Sequence, residues 1–170
     1  VSLVKKHYNN TRNLLSRLDA LVTDIETAQT LTGKDHVHKP REYNKNEKTA
    51  VLFVSGFNGI GLHTLFSIIR TFGKTFQNFV FVQVGVVDAG NFKGYTEIER
   101  LQSHIKSESD RYVTFLQSQG YYATSVQTIG VDVTEELIQV APKILEQFPN
   151  AVFFGGQLVF PKESLFSRWL

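Results

Sequence analysis

The stretch Thr49-Ala-Val-Leu-Phe-Val-Ser-Gly-Phe-Asn-Gly-Ile-Gly-Leu-His-Thr-Leu65 decides the fold. Its first half, Ala50 to Val54, is apolar throughout and rich in β-branched and aromatic residues. That is the composition of a strand covered on both faces. Its second half changes period: Leu62, Leu65, Phe66, Ile69 and Phe72 recur at helical spacing. A buried strand, a glycine-rich turn and an amphipathic helix open a strand–helix–strand unit, and the rest of the chain repeats that alternation.

Phe79-Val-Phe-Val-Gln-Val84, continuing to Val87, is a second buried strand. Thr96 and Glu99 fit a capping box at the start of a second helix, which turns Ile98, Leu101, Ile105, Tyr112, Phe115 and Leu116 inward and stops at Gly120. Tyr121 to Ile129 reads as a third strand and Asp132 to Phe148 as a third helix, which Pro142 should kink or deprive of one bond. Pro149-Asn150 turns into a fourth strand, Ala151 to Phe154. Such alternation implies parallel pairing with right-handed crossovers, hence an α/β, Rossmann-like, doubly wound parallel sheet with helices on both faces.

Before this domain, Leu14, Leu18, Leu21, Val22, Ile25 and Ala28 repeat at helical spacing. The organisation expected is an N-terminal amphipathic helix over 1–30 (its core 3–30), a polar linker over 31–48, and the α/β domain over 49–170. The chain begins at Val1 and contains no methionine, which leads to the expectation of an excised segment or a mature product. Phe166-Ser-Arg-Trp-Leu170 reads as a helix just begun, so the domain is expected to be truncated at that end. No window holds the roughly 18 apolar residues of a membrane span, and no signal-peptide core precedes the domain.

Composition removes several functions. There is no cysteine, which excludes disulfides, thiolate catalysis and sulfur-ligated zinc. Lys and Arg number 18 against 16 Asp and Glu, a net charge of +2 that gives no broad electrostatic case for nucleic acid.

Ligands in doubly wound sheets bind beyond the carboxyl ends of the strands, where strand order reverses. That directs attention to loops 55–61, 87–95 and 155–161. The first, Ser55-Gly-Phe-Asn-Gly-Ile-Gly61, offers backbone amides and a helix dipole to a phosphate. Its spacing is neither the dinucleotide fingerprint nor the P-loop, and turn geometry with close helix–strand packing is the preferred account of its glycines. Asp88 ends the second strand, where an acid holds ribose hydroxyls in dinucleotide folds; the competing reading is an acid bonded to local turn amides. A nucleotide site, if built here, would use Gly56, Gly59, Gly61, Asp88 and Gly155, with an adenine nucleotide as the one cofactor to consider. Lys93 could meet an anion, but a lone loop lysine usually stays solvated.

No catalytic set assembles. The glycine spacing most resembles that of short-chain dehydrogenases, one residue short, yet Tyr95, Tyr112 and Tyr121 are followed four positions later by Glu99, Leu116 and Ser125, never by the lysine that chemistry needs. That counts against a free-standing NAD(P)-dependent enzyme. His36 and His38 lie in the polar linker, His63 beside the glycine loop and His104 on a solvated helix face, so no metal site is expected. Ser55 and Ser103 lack a visible base. Glu97/Glu99, Glu108/Asp110 and Glu135/Glu136 read as solvated helix starts and faces. The linker bases Lys34, Lys39, Arg41, Lys45 and Lys48 are diluted by Asp35, Glu42 and Glu47; contact with anionic headgroups is weighed against a solvated linker, and the linker is preferred.

Thr49-Ala-Val-Leu-Phe-Val-Ser-Gly56, Gly61-Leu-His-Thr-Leu65, Asn78-Phe-Val-Phe-Val82, Val84-Gly-Val-Val-Asp-Ala-Gly-Asn-Phe-Lys-Gly94 and Phe148-Pro-Asn-Ala-Val-Phe-Phe-Gly-Gly-Gln-Leu-Val-Phe160 occur in this order. Together they resemble the cytosolic C-terminal domain of bacterial amino acid permeases of the amino acid–polyamine–organocation superfamily, over roughly 49–170. The resemblance implies a universal-stress-protein-like fold, a non-catalytic regulatory or assembly role beside the membrane portion of the same transporter, and a cytoplasmic position in a cell-membrane protein. It also implies that helix 3–30 joins the last membrane span to the domain. A homodimer through that helix is a further expectation. Related folds bind ATP through a glycine pattern after the fourth strand; here the loop reads Gly155-Gly156-Gln157-Leu158.

Overall fold

A computed structural model describes residues 41–87 and 94–155, with Thr23 and Gly90. The helix expected over 3–30 and most of the linker lie outside the described residues. Four strands and three helices follow in strict alternation: β1 (Lys48–Val54), α1 (Gly59–Phe72), β2 (Phe76–Val86), α2 (Tyr95–Ser118), β3 (Tyr122–Gly130), α3 (Val133–Gln147) and β4 (Ala151–Gly155). A short 3-10 turn, Gly73–Thr75, joins α1 to β2. All pairings are parallel and the order is β3-β2-β1-β4, so the architecture is the expected α/β parallel sheet.

The alternation of side chains along each strand builds two apolar layers. Ala50, Leu52, Phe79 and Phe81 face one way and meet Leu62, Leu65 and Ile68 of α1 and Tyr112 and Leu116 of α2. Val51, Val80 and Val82 face the other way and meet Val140, Ile144 and Phe148 from α3 and the residue after it. Both layers share the same two central strands, which explains their unbroken apolar runs. Strand order reverses between β1 and β4, and the helices change face with it.

Local signals set the helix ends. Asn58 caps α1 by accepting from the Gly61 amide, and Asp132 caps α3 by accepting from the Glu135 amide. Past α2, Gly120 takes φ +83°, with Gly120 N–H to Gln117 O and Tyr121 N–H to Leu116 O, the paired bonds of a glycine stop. The capping box expected at Thr96 and Glu99 does not form: α2 begins two residues earlier, at Tyr95, with Gly94 at φ +107° as its cap and no side-chain cap bond. Phe72, assigned to the inner stripe of α1, is instead 44% exposed, and Ile68 is buried in that stripe. α3 passes through Pro142 unbroken, the proline sitting on its exposed side.

Residues 41–47, inside the stretch read as linker, are tied across the end of the sheet where all strands begin. Asn78 Nδ2 donates to Asn44 O (2.9 Å), Asn150 Nδ2 to Lys45 O (2.9 Å), and Tyr43 Oη to Gln147 O (3.1 Å). The Tyr43 ring packs edge-on to Phe148 with centroids 5.0 Å apart.

Candidate functional site

At the opposite end of the sheet, the reversal of strand order leaves a cleft of about 480 Å³. Its volume lies within the range of small-molecule sites. The wall is apolar: Phe53, Val82, Val84 and Val86 from the strands, Val133 and Leu137 from the first turns of α3. Ser55, Asn58 and Thr64 supply the polar side chains, and Gly61 and Gly155 supply bare backbone. Val86, Val131 and Val133 continue this wall outward as an exposed apolar rim.

The structure brings two of the anticipated residues, Gly61 and Gly155, to this one cleft. Gly56 and Gly59 belong to the same β1–α1 turn but do not line it. Asp88, Lys93 and the loop after Gly155 lie outside the described residues.

Several amides at the turn already have partners. Phe57 N–H donates to Glu108 Oε2 (2.8 Å), Asn58 N–H to Tyr112 Oη (3.4 Å), Gly61 N–H to Asn58 Oδ1 (3.0 Å) and Leu62 N–H to Asn58 O (3.0 Å). Tyr112 Oη in turn donates to Gly56 O (2.9 Å). Glu108 and Tyr112 stand one helical turn apart on α2, so one face of that helix holds the Gly56–Asn58 part of the turn. The Arg111 guanidinium lies 4.0 Å above the Phe57 ring and 3.5 Å from Glu108 Oε1, partly offsetting the carboxylate. The Tyr112 ring stacks on Phe81 (4.6 Å, 15°). Burial, with the Glu108 charge adding to it, pushes the phenol up to about 12.

Two of the glycines have specific causes. Gly56 sits at φ +133°, which an L side chain rarely adopts. At Gly61 an added Cβ would lie 1.9 Å from Tyr112 Oη. Both therefore serve the turn and its packing. A phosphate placed on the Phe57 amide would displace Glu108 or sit against a like charge.

Neither Glu108 nor Tyr112 was singled out for the site by the sequence. Glu108 reads as a solvated carboxylate and Tyr112 as core, because their partners lie 51 to 56 residues away. Their spacing of four on an amphipathic helix was the one available signal. His63 is exposed and lines a separate shallow groove with Thr71, Phe72 and Phe154; His104 is exposed on α2. Among the described residues no group of acids and histidines could hold a metal ion, and no helix is long and apolar enough to cross a membrane. Compared with known proteins, the chain matches no family model, no curated protein and no solved structure.

Proposed function

We propose that this chain is a regulatory and assembly domain of an integral membrane transporter of amino acids or organic cations, of universal-stress-protein-like type, working without catalysis of its own. One observation carries the reading furthest. Part of the glycine turn, the segment best suited to phosphate chemistry, is already occupied by its own chain: Glu108 takes the Phe57 amide, and Tyr112 bonds Asn58 N–H and Gly56 O. The exposed valine rim suits contact with another surface. The ordered resemblance of the strand and loop segments to permease C-terminal domains supplies the transporter. In that arrangement, residues 1–30 and the linker connect the domain to the membrane portion, and the domain lies in the cytoplasm.

The test is to express the complete gene product with a C-terminal tag and fractionate the cells. Retention in alkali-washed membranes, with uptake of labelled amino acids altered when 49–170 is deleted, is the expected result. A product wholly in the soluble fraction overturns the reading.

The cleft at the strand-order reversal favours a second reading, a nucleotide sensor, which is compatible with the first. Its apolar wall suits an adenine ring better than phosphates. A thermal-shift titration with ATP, ADP, NAD, cyclic dinucleotides and adenosine decides it, since a ligand of the folded state raises the midpoint with concentration. A shift abolished by Gly59→Val and Asp88→Ala supports the sensor; no shift with any of them removes it.

A further inference from the structure

In a parallel sheet all strands begin at one pole, and here that pole is basic. Lys48 opens β1 opposite Phe76, the residue that follows Lys74 and Thr75 in the chain. Arg70 lies in the last turn of α1 just before them. Segment 41–47, pinned beneath β1, β2 and β4, adds Arg41 and Lys45. Five bases thus share the pole with Glu42 and Glu47, while Lys143 and Glu146 near the end of α3 offset each other. Arg41 is paired with Glu47. Lys45, Lys48, Arg70 and Lys74 are exposed, and no acid among the described residues pairs with them.

A base at the end of a helix complements the helix dipole, which accounts for Arg70. It does not account for Lys45, Lys48 and Lys74, which lie outside the α-helices. Among these cations stands an exposed aromatic ring, Phe72, two residues from Arg70 and two from Lys74. The opposite pole has the opposite sign: Glu97 and Glu99 lie near the start of α2, and Asp132, Glu135 and Glu136 cap and open α3, against Arg100.

The geometry points to the basic pole as a docking surface for a bilayer leaflet rich in anionic phospholipid, with Lys45, Lys48, Arg70 and Lys74 on the headgroups and Phe72 at the acyl boundary. Cations around an exposed aromatic ring match both parts of such an interface, charge and apolar depth. The chain enters the described domain at this pole, at Arg41, so the transporter reading supplies the bilayer; the surface itself is defined by the charges alone. Lys45 lies in the pinned segment 41–47, Lys48 in β1 and Lys74 in the 3-10 turn, so their backbones hold a fixed spacing.

The test is flotation of the 170-residue chain with phosphatidylcholine vesicles, with and without phosphatidylserine, at low salt and at about 0.15 M salt. Binding should require phosphatidylserine and weaken with salt. Lys45→Gln, Lys48→Gln and Lys74→Gln together should cut partitioning by roughly two orders of magnitude, about fivefold for each charge. Phe72→Ala should weaken binding at both salt concentrations, and Lys106→Gln on α2 should leave it unchanged. All five substituted residues are exposed, and the midpoint of thermal unfolding checks that the variants stay folded. Equal binding to neutral vesicles, no binding to anionic ones, or a triple variant that still binds overturns the proposal. So does binding to heparin with the same lysine dependence but not to vesicles, which would make the partner a soluble polyanion. Since purified chain and synthetic vesicles are used, failure here leaves the transporter reading to cell fractionation, and failure there leaves this surface standing.

Discussion

At Tyr112 three demands meet: the ring must stack on Phe81, the hydroxyl must reach Gly56 O, and Gly61 must leave room for both. Gly61→Ala puts a methyl group into a fully buried contact and should cost about 1–3 kcal/mol in urea unfolding, as overpacking of a fixed core does. Tyr112→Phe strips the partner from a buried carbonyl and should cost about 1–3 kcal/mol. The two should not add. The new methyl would lie 1.9 Å from Oη but 3.0 Å from Cζ, so deleting the hydroxyl relieves the worst of the clash, and the double variant should be more stable than the sum predicts. Strict additivity would mean that the contact is not as described. Tyr112 also carries a pH dependence. Its phenol titrates near 12 in the folded chain rather than at the usual 10.0, because burial disfavours the phenolate. The folded state therefore holds a proton that the unfolded state releases, so this contribution is complete below pH ~10 and is lost as pH rises from ~10 through ~12. It amounts to about 2–3 kcal/mol. Unfolding free energies across that window should fall more steeply for the parent chain than for Tyr112→Phe.

Elements were more legible than residues. The strands announced themselves because a sheet covered on both faces leaves no room for polar alternation, and Val80, Phe81 and Val82 are nearly inaccessible in the structure. The stop at Gly120 was legible because a positive φ is a local demand. The start of α2 was misread: Thr96 and Glu99 have the capping spacing, but Gly94 reaches a backbone conformation that ends the loop two residues sooner. The contact of Tyr112 with the glycine turn left no signal near Gly61, since nothing there points to a tyrosine 51 residues on; only the spacing of Glu108 and Tyr112 hinted at it. Pro142 tests the element scale directly. It removes a donor from the interior of α3, yet it lies on the solvent side, where the ring meets little. Pro142→Ala should restore one helix bond and raise stability by about 2 kcal/mol, the helix gain of ~3 less ~1 for the added freedom of the unfolded chain. A lower midpoint of thermal unfolding would show that the proline relieves a contact within α3.

The described domain is one sheet between two apolar layers, and its unfolding should reflect that. Leu65 belongs to the α1 side and Ile144 to the α3 side; each is almost fully buried, and they belong to separate clusters. Either change to Ala should cost about 2–5 kcal/mol through lost transfer and residual cavity. Because the layers meet only through the shared strands, the two costs should add within about 0.5 kcal/mol. Yet neither layer can persist without the other, since removing one exposes an entire face of β1 and β2. Losing α3 would uncover Val51, Val80 and Val82 at once, and losing α1 and α2 would uncover Leu52, Phe79 and Phe81. Urea unfolding followed by far-UV circular dichroism and by tyrosine fluorescence should therefore give one coincident transition for the parent and for each variant, shifted in midpoint but not in slope. Separate transitions for Leu65→Ala and Ile144→Ala would show that one layer can detach while the sheet survives, making the α3 side a unit that opens independently of the glycine turn.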